Sequence, residues 1–149
     1  MKIPAFQYGC LRCGRVFISP GVPEDYYGIF LLRSANDECR SLNANEDPVF
    51  DEIDPIVRAV TGNQLNDRSF AALHHKAFSA TCDLDRLNQP FFLGSKPTCP
   101  NCASAELSWK QVEDVAPIEV PKVEHQLWQQ LSSDQKHSVV KKILTQPEA

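Results

Sequence analysis

The sequence has no hydrophobic run long enough to cross a lipid bilayer. Its longest uninterrupted apolar runs, such as Ile29-Phe30-Leu31-Leu32, have four residues, whereas a membrane-spanning helix needs about 20 apolar residues in succession. The first residues, Met1-Lys2-Ile3-Pro4-Ala5, are not followed by the apolar region of a secretory signal. We therefore expect a cytoplasmic protein that has no membrane partner.

Glycine is also scarce. The chain of 149 residues contains 6 glycines, and they form no glycine-rich loop of the kind that cradles phosphate groups. Asp51 with Asp54 and Asp83 with Asp85 are candidate paired carboxylates. Carboxylates near helix starts ordinarily cap the helix or interact with its dipole, and we assign these acids that role. We therefore expect no enzymatic activity.

The isolated histidines and cysteines do not form a catalytic pattern. His74 and His75 are adjacent on a predicted helix, so their side chains point about 100° apart and do not face one metal ion together. Cys39 and Cys82 have no partner at metal-ligand spacing, and buried free thiols behave as small hydrophobic groups. The less favoured alternatives are a second metal site with a histidine and a Cys82–histidine nucleophile–base pair.

Four of the 6 cysteines form two Cys-x-x-Cys pairs near opposite ends of the chain. Each pair spans one tight turn, and Gly14 and Pro100 have the backbone preferences that such turns need. Two such turns together form a tetrahedral four-thiolate site, which is the geometry of structural zinc centres. The spacing therefore predicts one structural Zn²⁺ ion, with the ligands Cys10, Cys13, Cys99 and Cys102.

Other uses of these four cysteines fit the sequence less well. A disulfide framework needs an oxidising compartment. A thioredoxin-like dithiol needs a strand-to-helix junction in a βαβ pattern, whereas both pairs lie between short β-like stretches. A single iron ion also accepts four thiolates, so iron is the alternative to zinc.

The segments around the two pairs resemble zinc ribbons, and the Cys-x-x-Cys-Gly turn is similar to that of rubredoxins as well. The resemblance covers residues 5–18 and 96–112 and implies a fold element, not an activity. The chain departs from the rubredoxin pattern at Ala103, which replaces the glycine after the second pair, and in the 85 residues between Cys13 and Cys99. We expect a discontinuous zinc ribbon with a helical insertion.

Hydrophobic periodicity predicts an α+β fold. Strands are predicted at residues 6–8, 15–18, 26–33, 91–93 and 106–112, with a loop or weak hairpin at 34–46. One helix is predicted from an Asp47 N-cap and Pro48 to Gly62, and another from Asp67 to about Ser79.

The same pattern predicts the organisation of the chain. Residues 1–112 are expected to form the ribbon with an inserted α+β segment at 19–95, followed by an extended linker at 113–122. Residues 123–146 are expected to form a C-terminal helical pair. Its second helix is predicted to begin with a capping box, in which Ser132 is followed three residues later by Gln135.

The net charge of −4 is unevenly distributed along the chain. The segment from Glu24 to Asp54 carries 9 acids and 2 arginines, a net charge of −7, so the rest of the chain sums to +3. Acidic surfaces steer basic partners, and aromatic side chains are common interface anchors. We therefore expect a non-enzymatic interaction module with an acidic face for a basic protein partner. The predicted partner-binding residues are Tyr26, Tyr27, Asp37, Glu38, Glu46, Asp47, Asp51 and Glu52.

The sequence leaves two classes of partner open. By analogy, a basic protein partner includes a toxin that a small acidic immunity-type inhibitor neutralises. The alternative is a nucleic-acid-binding zinc-ribbon protein of transcription or translation, with Lys2, Arg12 and Arg15 near the first cysteine pair and Lys141-Lys142 as basic patches. The net negative charge disfavours nucleic acid, because phosphate binding normally requires a clustered positive footprint.

Overall fold

The computed structural model describes residues 1–62 and 64–146 and has the predicted α+β fold. The described residues form three small antiparallel sheets and four helices. The strands are β1 (Lys2–Ile3), β2 (Ala5–Cys10), β3 (Val16–Pro20), β4 (Ile29–Ser34), β5 (Cys39–Asn43), β6 (Phe91–Leu93), β7 (Leu107–Gln111) and β8 (Ile118–Glu119). The helices are α1 (Pro48–Thr61), α2 (Asp67–Thr81), α3 (Gln126–Gln129) and α4 (Ser133–Thr145). Within this described part, no helix has the length and apolar character that a membrane span requires.

The first sheet, which we call the ribbon sheet, has the strand order β3-β2-β7. In this sheet Tyr8 lies opposite Phe17 on one side and Trp109 on the other. The rings of Tyr8 and Phe17 stack with centroids 5.4 Å apart. Because cross-strand aromatic neighbours stabilise a strand register, these side chains align β2 with β3 and with β7, which is about a hundred residues away in the sequence. The strands predicted near residues 6–8, 15–18 and 106–112 are confirmed.

The second sheet has the order β5-β4-β6. Strand β4 lies in the predicted strand 26–33, and β5, in the segment 34–46 predicted as a loop or weak hairpin, pairs with it to form a hairpin. Strand β4 begins at Ile29, three residues later than predicted. The physical reason is a turn: the Tyr26 N–H donates to the Pro23 carbonyl at 3.1 Å, and Gly28 has a φ of 77° that interrupts an extended chain. Tyr26 and Tyr27 therefore precede the strand.

Helices α1 and α2 begin where the sequence predicts. The Asp47 side chain accepts from the Val49 N–H at 2.9 Å, and Pro48 occupies the first turn. Helix α1 continues through Pro55 and ends at Gly62, whose N–H donates to the Arg58 carbonyl. The Asn66 side chain caps α2, which extends to Thr81.

The C-terminal segment packs against the body of the protein. Strand β8, in the predicted linker, pairs with β1, and the Ser41 N–H donates to the Pro121 carbonyl at 2.7 Å. The first helix of the tail is the single turn α3, whereas α4 begins with the predicted Ser132–Gln135 capping box. Trp128 and Val140 are buried in the same core as α1 and α2.

This main core lies between the second sheet and helices α1, α2 and α4. Its fully buried side chains include Leu32, Ile53, Phe78, Phe91 and Val140. Among the described residues, none of the buried members of this core comes from the ribbon sheet. The ribbon sheet therefore needs a source of stability other than the main core.

Candidate metal centre

The two Cys-x-x-Cys segments form two similar turns. In the first, the Cys10 N–H donates to the Arg15 carbonyl at 2.8 Å, and the Gly14 N–H donates back to the Cys10 carbonyl at 3.0 Å. In the second, the Cys99 N–H donates to the Ser104 carbonyl at 2.9 Å, and the Ala103 N–H donates to the Cys99 carbonyl at 2.8 Å. Equivalent bonds therefore hold equivalent positions in both turns, so each turn presents its two sulfurs in the same way.

The four sulfur atoms of these turns converge. The Sγ atoms of Cys10 and Cys102 are 3.5 Å apart, those of Cys13 and Cys99 are 3.6 Å apart, and all four lie within 4.8 Å of one another. Four sulfurs at about 2.3 Å from one zinc ion form a tetrahedron with edges of about 3.8 Å. A disulfide would need a sulfur–sulfur distance of about 2.05 Å, and all four residues are free thiols. The cluster is therefore close enough to bind a metal ion.

Local N–H groups favour the thiolate forms of Cys10 and Cys13, the form in which cysteine binds a metal. The backbone N–H groups of Cys13 and Arg12 both donate to Cys10 Sγ at 3.4 Å and lower the pKa of Cys10. The Asn101 side-chain amide donates to Cys13 Sγ at 3.5 Å, and this bond with the Arg15 N–H lowers the pKa of Cys13 to about 6. Because the thiolate is the metal ligand, these bonds prepare Cys10 and Cys13 for a cation.

Cys102 in the second turn differs. The Ser104 N–H lowers the pKa of Cys102, but the neighbouring cysteine thiols, that of Cys10 foremost, together outweigh that effect and raise the pKa to about 11. The N–H bonds therefore favour the thiolate form in the first turn.

The cluster offers four ligands and so fills a tetrahedral coordination shell. Cys10 and Cys99 are buried, whereas Cys13 and Cys102 are exposed at the surface. A catalytic zinc site keeps one position open for water or substrate, while a structural site is closed by four protein ligands. The arrangement is therefore suited to holding β2 beside β7, two strands that are far apart in the sequence.

The two turns differ at one backbone position, which gives a matched test. Gly14 has a φ of 81°, and Ala103 has a φ of 61° at the equivalent place. Left-handed backbone is unfavourable for a residue with a Cβ atom. We expect Ala103→Gly to raise the free energy of unfolding of the metal-loaded protein by about 1 kcal/mol, and Gly14→Ala to lower it by about the same amount. Urea unfolding measures both changes in the free energy of unfolding. An Ala103→Gly variant that is less stable than the wild type would contradict the claim that the backbone at Ala103 is strained.

The eight predicted partner-binding residues lie in two places. Asp37 and Glu38 occupy the turn between β4 and β5, whereas Tyr26, Tyr27 and Glu46 lie at the opposite end of this hairpin. Six residues of extended strand separate the two ends by about 17 Å. Asp47 and Asp51 follow Glu46 at the start of α1, and Glu52 lies one residue further along. The eight residues therefore do not make one continuous patch.

Three of the predicted acids form internal contacts. Glu38 is bonded to the Arg86 side chain and backbone at 3.2 and 3.0 Å. Asp47 caps α1 and also contacts His125 Nε2 at 2.8 Å. Glu52 accepts from the Trp128 indole at 3.1 Å and from Lys136 at 2.6 Å, and these bonds lower the pKa of Glu52 despite its partial burial, which raises it. These acids hold other segments in place.

The other singled-out histidines and cysteines are packed side chains. His74 is buried and shares a hydrogen bond of 2.8 Å with the Phe50 carbonyl, while His75 packs edge-on against Phe30. Burial lowers the pKa of both histidines. Burial also raises the pKa of Cys39, and it raises that of Cys82 to about 12. Apart from the four-cysteine cluster, no group in the described ranges 1–62 and 64–146 has the geometry of a metal site.

The paired acids outside the predicted interface also have structural contacts. Asp83 accepts from the N–H groups of Gln126 and Leu127 at the start of α3, at 3.1 and 3.0 Å. Asp85 is buried and accepts from the backbone N–H of Leu87 at 2.8 Å. Burial raises its pKa, but the hydrogen bonds it accepts outweigh that effect and hold the pKa below the usual range.

His125, which no sequence pattern singles out, connects three segments. Its Nε2 contacts Asp47, and its Nδ1 lies 3.0 Å from the Thr81 carbonyl and 3.1 Å from the Thr81 hydroxyl. Thr81 is almost fully buried, and its hydroxyl donates to the Phe78 carbonyl at 2.7 Å. The network therefore joins the start of α1, the end of α2 and the tail. These residues lie far apart in the sequence, so no local pattern connects them.

Comparisons with known proteins identify no relatives for this arrangement: no family model, curated protein or solved structure matches the chain.

Proposed function

We propose that the four-cysteine cluster binds one structural Zn²⁺ ion and that residues 5–18 and 96–112 form a discontinuous zinc ribbon around it. The convergence of the four sulfurs supports this assignment, as do the paired turns with their N–H···S bonds. A closed four-thiolate shell leaves the ion no position for substrate. Zinc is thus assigned to stability, because the main core takes no buried residue from this sheet in the described part of the chain.

On this scaffold we place a surface for a basic protein partner at the open end of the β4–β5 hairpin. We call it the hairpin-end surface. It combines the two exposed tyrosines with the nearby acids that are free of internal contacts, and its members are Glu24, Asp25, Tyr26, Tyr27, Glu46 and Asp51. Asp37 lies apart from it, and Glu38, Asp47 and Glu52 are committed to internal contacts.

The exposure of two neighbouring tyrosines is the main support for this surface. Tyr27 is 87% exposed beside Tyr26 at 43%, although buried aromatic area is a major stabilising contribution to folding. Among the described residues, the carboxylates of Glu24, Asp25 and Glu46 form no ion pair. An exposed aromatic anchor among free carboxylates suits a partner that offers lysine and arginine side chains. A toxin neutralised by an immunity-type inhibitor is one such partner.

The test is affinity capture with matched charge variants. An Asp25→Lys/Glu46→Lys bait should lose the basic partner that the wild-type chain captures. A Glu113→Lys/Asp114→Lys bait carries the same charge change on exposed residues elsewhere and should retain that partner. Once the partner is known, the charge reversals should slow its association, and Tyr27→Ala should speed its dissociation. Equal capture by both variants would show that the hairpin-end surface does not bind the partner.

Nucleic acid is the competing ligand. Arg12 and Arg15 are exposed beside the first cysteine turn and form no ion pair within the described residues. We expect no binding of random DNA near physiological salt, because two arginines release few counterions. Fluorescence anisotropy measures this directly. A micromolar dissociation constant that Arg12→Glu with Arg15→Glu abolishes would replace the protein partner with nucleic acid.

The division of the acids into structural and surface groups is testable without any partner. We expect Asp47→Ala to lower the free energy of unfolding by about 2 kcal/mol or more, because it removes a helix cap and leaves His125 without its carboxylate. The exposed Glu46→Ala should change it by less than about 0.5 kcal/mol. Denaturant unfolding measures the free energy of unfolding of both variants and so compares two neighbouring acids. Similar losses for both would mean that Glu46 is also committed to the fold.

A further inference from the structure

A cavity of about 330 Å³ lies between the ribbon sheet and β4. Its walls come from four segments: the ribbon sheet, the loop before β4, β4 itself and residues 94–96, which lead to the second cysteine turn. Small-molecule sites in proteins have volumes of about 300–1,000 Å³ and are often found where separate structural units meet. The cavity is therefore large enough for a small organic ligand.

The cavity walls are rich in aromatic side chains. Phe6 and Trp109 come from the ribbon sheet, Tyr26 from the loop before β4, and Phe30 from β4. Trp109 is 54% exposed, so much of its ring surface is open to solvent. Flat aromatic walls favour a ligand that has a planar ring, because ring faces and edges pack at favourable distances.

The polar part of the cavity is positively charged. Arg33 and Lys96 are the ionic residues among its lining residues, and no carboxylate lines it within the described chain. Lys96 Nζ lies over the Trp109 ring, 3.8 Å from its centroid, so the ammonium charge is in direct contact with one aromatic wall of the cavity. This local positive charge contrasts with the net charge of −4 of the whole chain.

Arg33 adds a buried positive charge to this wall. It is 2% exposed and donates to the Ser95 carbonyl at 3.1 Å, to the Ser19 hydroxyl at 3.0 Å and to the Pro20 carbonyl. Arg33 Nη1 also forms an ion pair with the carboxylate of Asp37, at 3.8 Å. Asp37 is half exposed and its contact is long, so it compensates only part of the buried charge, and buried charges are normally compensated. An anion in the cavity would add to that compensation.

We infer that this cavity binds a small anionic ligand with a planar aromatic ring. The ring lies along Trp109 and Tyr26, and the anionic group contacts Lys96 in the positive potential of Arg33. The site shares Tyr26 with the proposed hairpin-end surface and includes none of the four cysteines of the metal centre. A small aromatic acid bound in this cavity would fill the space between the ribbon sheet and the second sheet.

Two fluorescent probes with similar ring systems test the inference on the metal-loaded full chain. Anilinonaphthalene sulfonate carries an anionic group, whereas phenylnaphthylamine is uncharged. We expect the sulfonate to bind the wild type more tightly and to lose about fivefold in affinity in Lys96→Ala, while the neutral probe is unaffected by this change. Trp109→Ala should lower the affinity for both probes by about tenfold. Lys110→Ala removes a neighbouring exposed lysine that does not line the cavity and should change neither.

Nuclear magnetic resonance locates the probe without any mutation. On adding the sulfonate to the wild type, the amide signals of Gly21 and Gly94, which line the cavity, should shift together with the Trp109 indole signal. Signals from α4 should stay in place. No binding at millimolar concentration, binding that is insensitive to both Lys96→Ala and Trp109→Ala, or shifts concentrated elsewhere would each overturn the inference.

Discussion

Replacing Cys99 with serine is expected to release the metal and disorder the ribbon sheet. Cys99 is buried and is one of four sulfurs within 4.8 Å of one another. A structural zinc ion contributes on the order of 10 kcal/mol in small four-ligand domains, and a serine hydroxyl is a poor substitute for a thiolate. Because the main core takes no buried residue from this sheet in the described chain, it cannot replace that contribution. Hydrogen exchange should show fast exchange at β2, β3 and β7.

The matched control is Cys39→Ser. Cys39 Sγ lies outside the cluster and accepts from Arg33 Nη1 at 3.1 Å, a contact that a serine hydroxyl can also make. This variant should keep its metal and most of its stability. If Cys99→Ser retained a full complement of metal and slow exchange in the ribbon sheet, the cluster would not be the source of its stability. Loss of metal from Cys39→Ser as well would point to a general folding defect.

Truncating Trp128 to alanine should produce the second large loss of stability. Its side chain is 2% exposed within the main core, and its indole N–H donates to Glu52, which also binds Lys136. Removing a buried tryptophan typically costs about 3–5 kcal/mol through lost burial and an unfilled cavity. The variant should unfold at much lower urea concentration, or be recovered only in aggregated form.

Leu127→Ala is the control for this change, because Leu127 is adjacent in sequence and 60% exposed. We expect it to alter the free energy of unfolding by less than about 0.5 kcal/mol. Circular dichroism during urea unfolding compares the two variants. If Trp128→Ala were as stable as Leu127→Ala, residues 123–146 would not be part of the main core, and their contacts with α1 and α2 would have to be revised.

Local signals in the sequence predicted the elements of this fold well. The Asp47-Pro48 start of α1 and the Ser132–Gln135 box of α4 are caps whose donors and acceptors lie within three residues of one another, so they can be recognised in sequence. The Cys-x-x-Cys spacing likewise brings two sulfurs together in one turn. Two turns of this type supply complementary halves of one site, so the convergence of the four sulfurs was predictable across the 85 residues between the pairs.

Features that depend on tertiary contacts were not predictable. Glu52 and Asp47 look like surface acids in the sequence, and only the packing of the tail brings Trp128 and His125 to them. The predicted linker contains β8 because β1, more than a hundred residues earlier, is available to pair with it. The positively charged cavity could not be predicted for the same reason, because its lysine and arginine come from separate segments of an acidic chain.

The most direct test of the metal centre is X-ray absorption on the purified protein, together with elemental analysis. We expect one zinc ion per chain, surrounded by four sulfur atoms at about 2.3 Å with no nitrogen or oxygen ligand. Iron in the same shell would preserve the four-cysteine site but replace the assigned metal. A well-folded protein with no metal would contradict the claim that a metal ion in this cluster holds β2 and β7 together.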